Sequence, residues 1–450
     1  MVQPARESPS DAILQELQEF HFFDLDWKTK QELIDAASGL LDGNMRIGTC
    51  STRIAMPFSA QDLDRVPPAC GLLFAAFVAP DVLLQAYDAT GRKDFFTAAG
   101  AFITNAQAYE QGALLPRGYF WNDHAVAARV CVLTNFWRLY RHSPDYRPEV
   151  GRQVLQMVAR SEQLLAKPRQ FTFPTNHGIV QNLALWHASL AFPSLPRAEE
   201  YQHLARARIT EQMKFYISGE GVVLEHSAGY HLFGVSLLGM VFRYLDLMHQ
   251  VAPEEWIEKY DLAKKVYATL RRPDGSLPMF GDTGDQTDPL GPLVTTFDGD
   301  RRPQGLAYQS MWKPAEAVNL YPVSGYAIWW DGLEFWPNAL NLSQTVVAWS
   351  DFPGHAHKHA DEMSVLFWAG GQTWLSNIGY WPYASKWRRT IESWAGSNAP
   401  HLLGENPAAL RTTRLVSSGS SLILRAIELE RTGVENYTAR RQVIYYLDYA

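Results

Sequence analysis

Residues 271–292, RRPDGSLPMFGDTGDQTDPLGP, divide the chain into two stretches with different hydrophobic periods. Dense Pro, Gly and Asp cannot continue a helix or a central strand, so this segment reads as a turn-rich connection. Upstream, from about residue 10, apolar side chains recur at helical spacing. Examples are QDLDRVPPACGLLFAAFVAPDVLLQAYDAT (61–90), RKDFFTAAGAFITNAQAYEQG (92–112), DHAVAARVCVLTNFWRLYRHS (123–143), RPEVGRQVLQMVARSEQLLAK (147–167) and AEEYQHLARARITEQMKFYIS (198–218). About ten to twelve such helices, broken by short polar turns, predict helix pairs stacked into an incomplete (α/α) toroid. Downstream the period falls to two in SGYAIWW (324–330), QTVVAWS (344–350), MSVLFWA (363–369), SLILRAIEL (421–429) and RQVIYYLDY (441–449). These read as strands of an antiparallel, β-sandwich-type domain. The expected fold class is therefore α+β with two domains, a toroid over 1–300 and a sheet domain over 301–450. The last strand candidate has no closing element after it, so the sheet domain is expected to be truncated.

Bulk composition agrees with two cores. A chain of 450 residues with 47% hydrophobic content exceeds the size at which one core stops growing. The formal charge of −7 argues against a nucleic-acid partner, which needs a basic face to neutralise phosphates. No run approaches the roughly 20 apolar residues of a membrane span. The N-terminus MVQPARESPSDAILQELQEF has early acidic residues and no apolar core, so it does not read as a secretory leader. The sequence as written is expected to be cytoplasmic, or periplasmic or secreted where a leader has been removed. Fifteen Trp and 20 Tyr give flat amphipathic rings that suit sugar faces as well as cores. Cys50, Cys70 and Cys131 are scattered and odd in number; they are expected to be buried small hydrophobes, with neither a disulfide framework nor a zinc ribbon.

Four polar clusters interrupt the apolar pattern. HAHKHADEM (355–363) places His355, His357, His359 and Asp361 at every second position, which on a strand gives one shared face. Metal ligation, catalysis and a hydrogen-bonded corner are all open for it. TFPTNHGIVQNLALWHASLAF (172–192) sets Asn176 and His177 before an apolar helix, where Asn176 also suits a helix N-cap. LEHSAGYHLFGVSLL (224–238) packs Glu225, His226, Tyr230 and His231 together, and a Tyr there can be an ordinary interface residue. WNDHAVAARVCVLTNFW (121–137) adds Trp121, Asn122, Asp123, His124 and Arg129, a mixture of sugar-compatible donors and a cation. The acidic run FGDTGDQTD (280–288) lacks calcium-loop spacing and reads as a loop. No phosphate loop, dinucleotide fingerprint or GxSxG elbow is present.

In their order and separation these pieces resemble the heparinase II/III-like superfamily of polysaccharide lyases, which is related to the alginate and oligoalginate lyases. The matching segments are TNHG (175–178), EHSAGYH (225–231), SGYAIWW (324–330) and HAHKHADEMSVLFWAGGQTWLSNIGY (355–380). The resemblance implies a lyase that cuts a uronate-containing polysaccharide by β-elimination, leaving an unsaturated uronate end. The proton beside a charged carboxylate is very weakly acidic, so the carboxylate must be neutralised. The resemblance gives that role to Asn176, with His177 beside it, and one such donor is worth roughly 2.7 to 4 kcal/mol of barrier. It makes Tyr230 the base, and the acid as well where both protons move on one face of the sugar. An ordinary Tyr has a pKa of about 10, so this needs nearby positive charge. His357 is the partner for elimination across opposite faces. Trp121, Asn122, His124, Arg129, Glu225, His226 and Arg389 are candidate sugar contacts, with Arg388 a further cation. The partner is then an anionic polysaccharide: a glycosaminoglycan, alginate or a bacterial exopolysaccharide.

No cofactor is required for this chemistry, but several family members hold a structural zinc. The resemblance places its ligands at His359, Asn377 and His401. The family pattern has Asp where this chain has Asn377, and amide oxygen is a poor transition-metal ligand. The family's later His-Asn corresponds either to Ser397-Asn398, which lacks an imidazole, or to the nearby His401. Two other functions compete with the lyase. A glycoside hydrolase on a helical toroid needs two carboxylates across the scissile bond, with Asp123, Glu225 and Asp282 available. A carbohydrate-binding protein would keep the fold without turnover.

Overall fold

The computed structural model describes residues 9–20, 25, 27, 29–48, 50–54, 58, 62, 65–113, 118–284, 312–350, 357–383, 385–432 and 437–447. Helices precede antiparallel sheets, as the change of period requires. The expected boundary at 300/301 lies outside the described residues. The chain forms two compact units, one of residues 1–212 and 244–250, the other of 213–243 and 251–450.

The first unit is helical. Its helices start where short polar side chains accept from free backbone N–H groups. Asn122 caps Asp123–Tyr140 and Thr175 caps Asn176–Ala191. These two helices pack on each other, and both are buried almost all round, as in the centre of a large helical core. The apolar run 61–90 yields two helices, Pro68–Ala75 and Val78–Thr90, because Phe77 adopts a left-handed conformation (φ 63°) that ends the first. A hairpin of β1 (Asn44–Ile47) and β2 (Cys50–Arg53), absent from the sequence expectation, brings Cys50 to the start of the next helix. There it pairs with Cys70 in a disulfide, which corrects the reading of these residues as unpaired hydrophobes. Cys131 is free and buried. No described helix is long and apolar enough to cross a membrane.

The second unit carries the sheets. Five strands, β3 (Val318–Tyr321), β4 (Tyr326–Asp331), β5 (Ser343–Ala348), β6 (Ser364–Ala369) and β7 (Gln372–Leu375), pair antiparallel in sequence order. A second antiparallel sheet orders β10 (Thr438–Tyr446), β9 (Leu424–Thr432) and β8 (Thr412–Ser420). Ala327, Trp329, Val347, Trp349, Met363 and Val365 meet Ile427 and Leu429 in one core, so the sheets share an apolar interface as a sandwich does. β4 is buried on both faces: opposite Trp329, Trp330 donates its indole N–H to the Thr269 carbonyl at the end of the helix Glu254–Leu270.

Leu429 is fully buried in that core, so Leu429→Ala is expected to lower the unfolding free energy by about 2–5 kcal/mol in chemical denaturation. A loss near zero would show that the sheets do not share it.

Candidate active site

The second unit gathers its chemistry around one carboxylate. Asp282, with a fully buried side chain, follows Gly281, whose backbone has φ 55°. A Cβ there would lie 2.2 Å from the His226 carbonyl oxygen and 2.7 Å from that of His357, so only glycine fits. The Gly281 amide donates to Asp361 Oδ2 at 2.8 Å, and the Asp282 amide to the His357 carbonyl at 3.0 Å. The chain is thus pinned against the HAHKHAD segment.

Four side chains then converge on Asp282. His359 Nε2 lies 2.8 Å from Oδ1; Arg388 Nη2 at 2.6 Å, the Tyr383 hydroxyl at 2.8 Å and His357 Nδ1 at 3.0 Å share Oδ2. Burial alone would raise the Asp282 pKa, but hydrogen bonds from His357, His359 and Arg388 reverse this and hold it well below the carboxylate range. An ionised Asp282 accepts only. We therefore assign protons to His357 Nδ1 and His359 Nε2. His357 Nε2 lies 3.4 Å from the buried Glu225 carboxylate.

Tyr230 stacks on His357 with ring centroids 3.3 Å apart and planes 13° from parallel. It stands in the first turn of the helix Ala228–Leu247. That turn is tied to Asp282 through the next residue: the Tyr230 amide donates to Ser227 Oγ, and the Gly229 amide to Thr283 Oγ1. The Tyr230 hydroxyl is 3.5 Å from that of Tyr383. Burial pushes the Tyr230 pKa up to about 12, with Asp282 and Glu225 adding to it against a lowering hydrogen bond from Tyr383. Gly379 explains the Gly of the NIGY motif: the Tyr380 amide donates to the Thr283 carbonyl at 2.9 Å, and a Cβ on Gly379 would lie 2.3 Å from that oxygen.

The first unit holds the other group. Thr175 caps the helix, so Asn176 is not the cap but its first residue, and is buried. His177 Nδ1 lies 2.9 Å from Asp123 Oδ2, which also accepts from Gln181 Nε2 at 3.2 Å. Burial opposes the charge of Asp123, but His177 more than offsets it and lowers the pKa. His124 packs edge-on against His177 at 3.8 Å. Gly178 is required here too, since a Cβ would lie 2.3 Å from Gln212 Nε2 and 2.6 Å from the Thr172 carbonyl oxygen.

The remaining expectations divide. Arg129 is corrected from a groove cation to a core residue: it is fully buried, its guanidinium lies 4.4 Å over the Phe120 ring, and burial lowers its pKa to about 10. Asn122 spends its side-chain oxygen on the helix cap, and Trp121 is buried against Phe120. His226 is buried with φ 53°, its Nδ1 paired with Ser350 and 3.5 Å from the Tyr326 hydroxyl. Arg389 is exposed. His357 to Asp361 form a turn ahead of β6 instead of the expected strand; His355 lies outside the described residues. The sequence did not single out Tyr383, named Asp282 only as a carboxylate for the hydrolase reading and named Arg388 only as a further cation; the structure brings all three together. The signal for Asp282 was the Gly-Asp pair inside a loop-like acidic run, which spacing alone does not distinguish from a turn.

The expected zinc ligands do not fit a metal. His359 Nε2 carries a proton toward Asp282, Asn377 Oδ1 accepts from the Asn398 amide at 3.1 Å, and His401 Nδ1 donates to the Ala399 carbonyl at 3.0 Å while its ring stacks on Trp394. Among the described residues, the metal-ligating side chains that lie within 4.8 Å of one another are Asp282, His359 and Glu392.

A helical unit followed by antiparallel sheets has its counterparts among known families and folds. The Heparinase II/III N-terminus family matches residues 83–291, and the Heparinase II/III-like, C-terminal family matches 313–441. This chain belongs to the heparinase II/III family and is a polysaccharide lyase. Its fold is similar to that of heparinase III (TM-score 0.76, 16% identity, covering 97% of this chain and 73% of that one). It is also similar to the heparan sulfate lyase HepC from Pedobacter heparinus (TM-score 0.66, 13% identity, 96% and 71%). Comparison with curated protein sequences gives no significant match.

Asp282→Asn keeps the shape but leaves imidazole and guanidinium donors facing an amide. Breaking a buried ion cluster in this way is expected to lower stability by about 3–5 kcal/mol. The lowered Asp282 pKa also stabilises the fold above the unfolded carboxylate value near 4, and this is lost as pH falls below it. The variant should therefore show a shallower acid loss of stability than the parent in denaturation series below about pH 5. Parallel acid limbs would remove Asp282 as the ionised hub.

Proposed function

We propose that this lyase acts on a uronate-containing glycosaminoglycan of the heparan sulfate class, with His357 and Tyr230 moving the two protons of a β-elimination. The observation that carries the reading is the Asp282–His357–Tyr230 stack. Asp282 fixes the imidazole through Nδ1, so Nε2 is the atom that takes the proton from the carbon beside the uronate carboxylate. Asp282 then stabilises the imidazolium. Tyr230, with its pKa pushed up to about 12, keeps its hydroxyl proton through neutral pH and gives it to the leaving glycosidic oxygen. This changes the emphasis of the sequence expectation, in which Tyr230 was the base. The substrate class is supported by the family and by the heparan-directed lyases that share the fold.

The carboxylate-neutralising role of Asn176 and His177 is a separate part of the proposal. The Asp123 contact orients His177, so that its ring is held in place beside Asn176. A hydrolase reading loses support in Asp282, whose depressed pKa makes it an anchor and not a proton donor.

Incubation with heparan sulfate, chondroitin sulfate, hyaluronan and alginate should raise ultraviolet absorbance as the conjugated uronate forms, most with heparan sulfate. New reducing ends without absorbance would sink the elimination reading. Tyr230→Phe and His357→Ala are each expected to lower kcat by about 10²–10⁴-fold with circular dichroism unchanged. A kcat within a few-fold of the parent removes the residue from its role.

Asn176→Ala is expected to lower kcat by about 10²–10³-fold, as for loss of one oxyanion donor. A change confined to KM would give Asn176 ground-state binding instead.

A further inference from the structure

The best cation site in the second unit already holds a cation belonging to the chain. Asp282, His359 and Glu392 bring their donor atoms within 4.8 Å of one another. Arg388 is hydrogen-bonded to two of these three side chains. Its Nη2 donates to Asp282 Oδ2 at 2.6 Å, its Nε to Glu392 Oε1 at 2.5 Å and its Nη1 to the Trp381 carbonyl at 2.7 Å. Its guanidinium carbon lies 4.2 Å over the Tyr383 ring. Burial opposes the charge, and Asp282 and Glu392 outweigh it, so the Arg388 pKa is raised.

Three further observations point the same way. His359 Nε2 lies 2.8 Å from Asp282 Oδ1, a hydrogen-bond distance at which the proton assigned to that nitrogen leaves it no lone pair for a metal. The segments a metal would clip together are joined by hydrogen bonds: Ser397 Oγ to the Ala360 carbonyl at 2.8 Å, the Asn398 amide to Asn377 Oδ1 at 3.1 Å, and the Ile378 amide to the Gly396 carbonyl at 2.9 Å. A dication placed among Asp282, His359 and Glu392 would also sit against the guanidinium, where like charges in a buried setting repel strongly.

We propose that Arg388 is a built-in cation that takes the structural place of a metal in this chain: it neutralises Asp282 and Glu392 and, through Asp282, positions His357 and Tyr383. The proposal does not rest on the reaction assigned above, because its readouts need no substrate. The full chain is purified without chelator, its metal content is measured by mass spectrometry, and its thermal unfolding is followed with EDTA and with added zinc. The expected result is less than a tenth of an equivalent of zinc and a Tm that neither addition moves. Stoichiometric metal, or a Tm that falls with EDTA, overturns the proposal.

Arg388→Ala opens the space and leaves Asp282 and Glu392 without their cation. Its Tm should be several degrees below the parent's and should rise with added zinc, a response the parent lacks. Absence of that response overturns the assignment of Arg388 to the metal's place. Arg388→Lys keeps the charge on a slimmer side chain and guards against a poorly folding alanine variant. It should recover part of the Tm with no zinc response, and a zinc response equal to that of the alanine variant counts against the proposal.

Discussion

A carboxylate removed from water is costly unless its lone pairs are met by donors, and Asp282 meets this condition with four side chains. The four donors come from three segments, so the same interaction that keeps Asp282 ionised also fixes where those segments lie. His357 and His359 bring in the turn before β6, Tyr383 the loop after the NIGY motif, and Arg388 the short helix Arg388–Glu392. Thr283 extends the hub to the start of the helix that bears Tyr230. Gly281 and Gly379 are the positions where the backbone must come close enough for this to happen. The candidate site of the second unit is thus assembled around one buried charge.

The consequence for chemistry is a division of labour between neighbouring acids and bases. Asp282 is driven strongly acidic by its donors, and Tyr230 is driven weakly acidic by burial beside carboxylates. His357 lies between them, hydrogen-bonded to one and stacked on the other. Groups with separated proton affinities in contact are what a reaction that takes one proton and returns another requires.

Much of this was legible in the sequence. The change of period around 271–292 gave the order of helices and sheets, and the strand candidates 324–330, 344–350, 363–369, 421–429 and 441–449 coincide with β4, β5, β6, β9 and β10. His357 stood out because a polar cluster beside an apolar run demands an explanation, whereas Tyr230 took its role from the family resemblance alone. What spacing could not convey was which distant groups those side chains meet. Asp282 and Arg388 are 106 residues apart and carry no local mark of their pairing. Arg129 misled for the complementary reason: a cation in a polar-rich motif resembles a ligand contact until its burial over Phe120 is seen. Cys50 and Cys70 became partners only through a short hairpin that periodicity does not register.

Thr175 at the cap of one helix and Ser227 at the start of another have an effect beyond local geometry. Asn176 and His177 stand in the first turn of Asn176–Ala191, Tyr230 in the first turn of Ala228–Leu247, and His124 in that of Asp123–Tyr140. The N-terminal end of a helix carries a partial positive charge of about half a unit, from peptide dipoles whose N–H groups point outward. At Asn176, His177 and His124 these dipoles favour an anion in a way no count of Lys and Arg registers, whereas at Tyr230 the Asp282 and Glu225 carboxylates oppose it. A chain with a net charge of −7 can in this way hold locally positive ground at the end of a helix.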